Sequence, residues 1–295
     1  MPNLQILSLA IGDMLYIVMR IPADVVYYAD IEWPFGDFFC KLCCCILYIS
    51  QGVSVLTLTA LSGERYFAIT KPMQFRKINV VRTTIGMIII IWSLSCVTSV
   101  PVMLMAKVDE QWQTCSMVTL SRPYRSFILT MFITLFIIPL GCISVFYILT
   151  ARSLLNSASA GKLKRTGTNL SEGGRQNHLV NTRTRLTVII LIAVILFTCC
   201  WTPYFVYELW TEFDPYLPYT DAMVTFMYVH YIMPMLASTI NPVLLFIMST
   251  HFRREFKRQF CCCTRKQQVK NNTDNTRITL RRNDADGKDW VNVAL

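Results

Sequence analysis

Charge is scarce in this chain. Charged residues make up 16% of its 295 positions, against about 25% in an ordinary soluble domain. Histidine is rarer still, at three residues, and neither an HExxH motif nor a nucleophile–base pair is present, so an intramembrane enzyme has nothing to work with. No run of short alternating segments appears, which excludes a transmembrane β-barrel. No internal repeat is visible, which disfavours a transporter. No signal peptide is expected, as the chain opens Met1-Pro2-Asn3 and passes directly into an apolar stretch containing Asp13.

What fills the chain instead is apolar. Hydrophobic residues reach 54% and the mean hydropathy is +0.42. They gather into six blocks, at about 4–29, 40–64, 81–105, 127–150, 186–209 and 222–248. Each exceeds the roughly 20 residues that cross a bilayer core as helix. The blocks contain Pro22, Pro101, Pro139, Pro203, Pro234 and Pro242, which membrane helices tolerate when neighbours satisfy the freed carbonyls. The net charge of +10 could suggest nucleic acid, but its distribution does not. Of 28 basic residues, 23 fall in or beside the loop after block 2, in residues 151–185, or after residue 248. The alternate loops are acidic, with Asp30, Glu32 and Asp37, then Asp109 and Glu110, then Glu212, Asp214 and Asp221. By the positive-inside rule the basic regions face the cytoplasm. The expectation is an all-α, multi-pass protein of the plasma membrane with its C-terminus inside, and with no nucleic-acid partner.

Of twelve cysteines, Cys40 and Cys115 fall on the outer side, where a disulfide can persist. Cys261, Cys262 and Cys263 follow a basic amphipathic stretch at 250–260, in which Phe252, Phe256 and Phe260 alternate with Arg253, Arg254, Lys257 and Arg258. Such a helix lies on an anionic leaflet, and juxtamembrane cysteines are palmitoylation candidates. Cys43, Cys44, Cys45, Cys96, Cys142, Cys199 and Cys200 read as packing residues. Residues 156–181 and the tail 264–295 are polar and are expected to be disordered, leaving a membrane domain over 1–263.

Five motifs follow one another in order: Leu7-Ser8-Leu9-Ala10-Ile11-Gly12-Asp13; Cys40 with Glu64-Arg65-Tyr66; Trp92; Phe197-Thr198-Cys199-Cys200-Trp201-Thr202-Pro203; and Asn241-Pro242-Val243-Leu244-Leu245. Together they resemble a rhodopsin-like G-protein-coupled receptor over residues 3 to about 263. The finer resemblance is to bombesin and insect CCHamide receptors, carried by Trp33-Pro34-Phe35-Gly36, by Gly52 through Tyr66, and by Leu245. The family's first helix has no counterpart, so the chain resembles helices two to seven with the amphipathic eighth. That leads to the expectation of an incomplete gene model or a truncated isoform, and of a seven-helix bundle with six spans present.

The resemblance implies a disulfide between Cys40 and Cys115. It places Asp13, Ser54, Ser238 and Asn241 in a sodium pocket, with Ala237 where a polar residue is usual; a neutral, hydrogen-bonded Asp13 is the alternative. No other cofactor is implied. Glu64, Arg65, Tyr66, Pro72, Met73, Tyr147, Asn241 and Pro242 take the G-protein coupling and activation roles, with Glu64 pairing Arg65 and Tyr147 swinging toward it. Val55, Pro139, Phe197, Trp201 and Pro203 form the transmission switch. Asp24, Tyr27, Tyr48, Tyr204, Glu208 and Tyr231 fall at ligand depth, where acids among rings suit a cationic ligand; acids snorkelling to the interface would look the same. Bombesin receptors carry glutamine and arginine where this chain has Leu47, Thr211 and Tyr231, which argues against bombesin itself. The implied function is a neuropeptide receptor, not an enzyme, with an extracellular peptide, a heterotrimeric G protein, arrestin, receptor kinases and membrane lipids as partners. A non-signalling isoform that retains full-length receptors is the other expectation, and a transporter or channel the remote one.

Overall fold

A computed structural model describes residues 2–29, 32–71, 73, 79–109, 115–117, 122–164, 170–214 and 220–248; within these, side chains are described except at 2–3, 27–28, 80, 116, 122, 154–164, 170–186, 242 and 244–248. The expected amphipathic helix at 250–260, Cys261–Cys263 and the tail lie outside the described residues, as does Pro72.

Six helical spans long and apolar enough to cross a membrane follow one another among the described residues. The first joins α1 (Pro2–Leu15) to α2 (Ile21–Tyr28) through a π-helical turn, Tyr16–Arg20. Then come α3 (Gly36–Thr70) and α4 (Val80–Met105). A short antiparallel hairpin of β1 (Ala106–Val108) and β2 (Cys115–Met117) precedes the fourth span. That span joins α5 (Arg122–Phe132) to α6 (Ile138–Lys164) through a second π turn, Ile133–Ile137. Helices α7 (Leu170–Phe213) and α8 (Asp221–Met248) complete the order.

Both π turns end two residues before a proline, Pro22 in one case and Pro139 in the other. Proline cannot donate to the carbonyl four residues back, and its ring crowds that carbonyl. A wider turn just upstream relieves the clash without breaking the span, and such bulges frequently mark functional sites.

The expected spans agree with the helices, with one difference in extent. Residues 156–181 were expected to lack structure, yet α6 runs to Lys164 and α7 begins at Leu170. Both stretches are free of proline, and extending an established helix is far easier than nucleating one.

The second span, α3, is the axis of the bundle. Its most apolar window is 78% buried, against 22–50% for the other five. Outward-facing residues elsewhere are large and apolar, such as Leu104, Val97 and Ile89. That surface would aggregate in water and suits hydrocarbon, as expected of a multi-pass membrane protein.

The motif Trp33-Pro34-Phe35-Gly36 starts α3. Gly36 takes a left-handed conformation at φ 73°, which glycine reaches without steric cost. The Trp33 indole N–H donates to the Gly36 carbonyl at 2.9 Å and fixes the turn. Between α3 and α4 the backbones approach closely at Gly52. A Cβ there would sit 2.7 Å from Ser95 Oγ and 3.1 Å from Ser95 Cβ. Ser95 cannot easily withdraw, since its hydroxyl donates to the Ile91 carbonyl at 2.8 Å.

Gly52→Ala should therefore destabilise the bundle by about 1–3 kcal/mol, the usual cost of overpacking. Thermal melting in detergent should show this as a lower Tm, and adding Ser95→Gly to the same chain should restore most of the loss.

Candidate functional site

The polar residues of the spans form a column along α3, and its outer end is capped by the hairpin. Cys40 and Cys115 are joined by a disulfide, with Cα atoms 5.5 Å apart. Asp37, the second residue of α3, accepts from the Val108 backbone N–H at 3.3 Å and pairs with Lys41 at 2.6 Å. The hairpin is thus held to α3 at two points.

Below it lies a cluster of rings and acids. Tyr48 and Tyr204, both fully buried, share a hydrogen bond at 3.0 Å. Tyr124 donates to Glu208 Oε2 at 2.7 Å, and His230 Nε2 stands 3.7 Å from Glu208 Oε1. His230 stacks on Tyr207 at 3.9 Å and packs against Tyr231 at 4.0 Å. Tyr48, Tyr204, Glu208 and Tyr231 are thereby brought into one connected set by α3, α7 and α8. Asp24 and Tyr231 line a cleft of about 510 Å³ with Ile21, Tyr228 and Met235. The Tyr27 side chain lies outside the described residues.

Asp24 does not wait for a ligand. Arg20 pairs with it at 2.9 Å, one helical turn away and largely buried. The i, i+4 spacing of Arg20 and Asp24 is readable in the sequence. Tyr124 and His230 carried no such signal, because their partner Glu208 lies on a different span.

At mid-depth Ser54 donates to Asp13 Oδ1 at 3.2 Å. Ser238 and Asn241, both buried, also turn polar atoms toward the carboxylate, though only Ser54 meets hydrogen-bond geometry. Asp13 Oδ2 and both amide atoms of Gln51 are buried without a hydrogen-bond partner among the described residues. Gln51 and Ser54 are three apart on α3 and share a face. Oxygen-rich groups of this kind suit a hard cation, so the four expected residues fit sodium.

Beside this group the switch residues are packed tight. Val55, Phe197 and Trp201 are at most 2% exposed. Phe197 and Trp201 have ring centroids 5.8 Å apart, and Trp201 leans edge-on against Tyr204 at 5.5 Å. Pro139 is buried below the second π turn, and Pro203 lies inside α7. One continuous aromatic path therefore runs from Tyr48 through Tyr204 to Trp201 and Phe197.

At the far end of α3, Glu64 Oε1 accepts from Gln5 Nε2 at 2.8 Å. Gln5 is fully buried and went unnoticed in the sequence. Tyr66 packs on Phe67 and Phe146, and Met73 is 74% exposed. Tyr147, expected to reach toward Arg65, donates to the Thr187 carbonyl at 3.0 Å and so docks α6 on α7. Asn241 is buried in α8 next to Pro242. Trp92 donates to Ser8 at 2.8 Å and ties α4 to the first span.

The profile of the 7 transmembrane receptor (rhodopsin family) matches residues 1–245. The chain belongs to that family. Similar proteins include the neuropeptide CCHamide-1 receptor of Drosophila melanogaster, 33% identical over 88% of this chain and 54% of that protein. Bombesin receptor subtype-3 of Ovis aries is 32% identical over 89% of the chain and 67% of its own length. The [Phe13]-bombesin receptor of Bombina orientalis is 30% identical over 89% and 68%. The receptor described here spans about half the length of the first of these relatives. Family membership makes the chain a receptor rather than an enzyme.

The Arg20–Asp24 pair yields a direct test. Removing one partner of a buried ion pair costs about 3–5 kcal/mol, whereas replacing both with apolar residues is often neutral. Arg20→Met should sharply lower the receptor's Tm, and Arg20→Met with Asp24→Leu should recover most of it.

Proposed function

We propose that the receptor binds an extracellular neuropeptide and activates a heterotrimeric G protein from the plasma membrane, with its C-terminus in the cytoplasm. The observation that carries this reading is the aromatic path from Tyr48 on α3 through Tyr204 and Trp201 to Phe197 on α7, with a polar cluster at its outer end and Glu64-Arg65-Tyr66 at the far end of α3. A ligand displacing Tyr48, Tyr204 or Glu208 moves rings that touch Trp201, and Trp201 and Phe197 sit beside the Pro203 break in α7. Because α6 and α7 meet at Tyr147 and Thr187, a swing of α7 releases that contact and frees Tyr147 to turn toward Arg65. The basic loops that follow α3 and α6 suit a cytoplasmic face.

The chemistry of the ligand follows from the charges. Arg20 already neutralises Asp24, so Glu208 is the acid left to meet a cationic or hydrogen-bond-donating group. The relatives bear the names of CCHamide-1 and bombesin receptors, which supports a peptide. Leu47, buried and apolar, offers no polar contact where bombesin receptors carry one, which points away from bombesin itself. Sodium at Asp13, Ser54, Ser238 and Asn241 supplies countercharge in the resting state. Arrestin and receptor kinases, and palmitoylation of Cys261, Cys262 and Cys263, complete the proposal.

In cells expressing the receptor, an activating peptide should raise calcium or change cyclic AMP. Arg65→Ala should keep peptide binding while losing at least about tenfold of the response, roughly 1.4 kcal/mol of coupling; normal signalling by that variant would contradict the assignment. Sodium, compared with potassium at equal ionic strength, should raise the Tm of the wild-type receptor. Asp13→Asn should abolish the difference, and an unchanged sodium effect in that variant would remove the ion from Asp13.

A further inference from the structure

Cys43, Cys44 and Cys45 are consecutive buried thiols with three different partners. Cys43 donates to the Met19 carbonyl at 3.4 Å and Cys45 to the Ser99 carbonyl at 3.6 Å. Both are weak contacts that hold their sulfurs against backbone. Cys44 instead points at the disulfide. Its Sγ lies 3.9 Å from Cys115 Sγ, and the sulfurs of Cys40, Cys44 and Cys115 all fall within 4.8 Å of one another. Cys40 and Cys44 are one helical turn apart on α3, so they share a face. The Arg20 guanidinium stands 3.7 Å from Cys44 Sγ, placing a cation beside the sulfur that would carry negative charge.

We propose that Cys44 is an alternative disulfide partner for Cys115, and that the receptor exchanges its Cys40–Cys115 bridge for a Cys44–Cys115 bridge. In this step the Cys44 thiolate attacks Cys115 Sγ and an S–S bond forms between them. The Cys40–Cys115 bond breaks with its electron pair on Cys40 Sγ, which takes up the proton that Cys44 lost. The number of disulfides is unchanged, so neither an oxidant nor a reductant is consumed. The thiolate is the attacking species in such exchange. Cys44 Sγ must close from 3.9 Å to the roughly 2.05 Å of a disulfide and swing into line with the Cys40–Cys115 bond, because the three sulfurs, all within 4.8 Å of one another, are bent rather than in line.

The consequence is positional. Cys44 lies about 6 Å further along α3 than Cys40, from four residues at about 1.5 Å each. Moving the bridge there draws β2 toward the buried tyrosines and withdraws Cys44 from Arg20, which leaves Asp24 as the partner of that cation. The exchange thus couples the hairpin that caps the ligand end to the ion pair beneath it. Uncatalysed disulfide rearrangement takes about minutes to hours, so the two forms are long-lived states of the receptor and do not track each ligand encounter. This inference is independent of the identity of the ligand.

The test is disulfide mapping of the purified receptor. Lys41 lies between the two competitors, so trypsin separates the Cys40 peptide from the peptide carrying Cys43, Cys44 and Cys45. The receptor is held in detergent at mildly alkaline pH without reductant, quenched in acid at intervals, alkylated and digested under non-reducing conditions. Wild type should show the Cys115 peptide moving over hours from the Cys40 peptide to the Cys43–Cys45 peptide, with Cys40 becoming alkylated. Cys44→Ser should abolish the new link, and Cys40→Ser should show Cys115 bound to the Cys43–Cys45 peptide from the start. The proposal is overturned if Cys115 in wild type stays linked only to Cys40, or if the new link persists in Cys44→Ser. Should Cys40→Ser fail to fold, the wild-type and Cys44→Ser time courses decide alone.

Discussion

A polar side chain inside a bilayer has only the protein to turn to, and this constraint organises the receptor. The first span contacts α3 through polar groups at three depths: Gln5 with Glu64, Asp13 with Ser54, and Arg20 with Cys44. Each places a group on α3 that hydrocarbon would not accept against a partner on the neighbouring span. Helix α3 is the most buried of the six spans and supplies one partner to each of these three contacts. The aromatic core fills the space between these anchors, with Phe205 against Phe132 and Phe136 on one side and Trp201 against Tyr204 on the other.

The same constraint suits the core to the proposed switch. Polar contacts such as Tyr147 to the Thr187 carbonyl are replaceable, whereas the ring layer behind them is close-packed and admits few arrangements. A small displacement of Tyr204 cannot be absorbed locally, because it abuts Trp201 and Phe205 at centroid distances of about 5.5 Å. Proline and the π turns supply the give. They interrupt the hydrogen-bond ladder at Pro22, Pro139 and Pro203 while the rest of each span stays rigid.

Much of this was legible in the sequence. Long apolar blocks fix the spans because only helices satisfy a backbone in lipid, so α3 and α7 could be located from composition alone. The family resemblance then implied Cys40 with Cys115 and Asp13 with Ser54. What stayed hidden were contacts between residues with no motif of their own. Gln5 reads as an ordinary polar residue near a helix end, and Ser8 and Trp92 become partners only when two spans cross. His230 and Tyr124 acquire meaning from Glu208, which is 84 residues away from Tyr124 in sequence. Helix continuity beyond Ser153 was missed for a different reason: polar composition predicts poor burial, but a helix already anchored in the bilayer continues until something stops it.

The central claim is that ligand binding reaches the Arg65 end of α3 through the packed rings around Trp201. The most direct measurement is guanine-nucleotide exchange on a purified heterotrimer with the receptor in lipid nanodiscs, run alongside peptide binding to the same preparation. Wild type should accelerate exchange when the peptide binds, and Trp201→Ala should bind the peptide with little acceleration. Acceleration at the wild-type level by Trp201→Ala would contradict the claim.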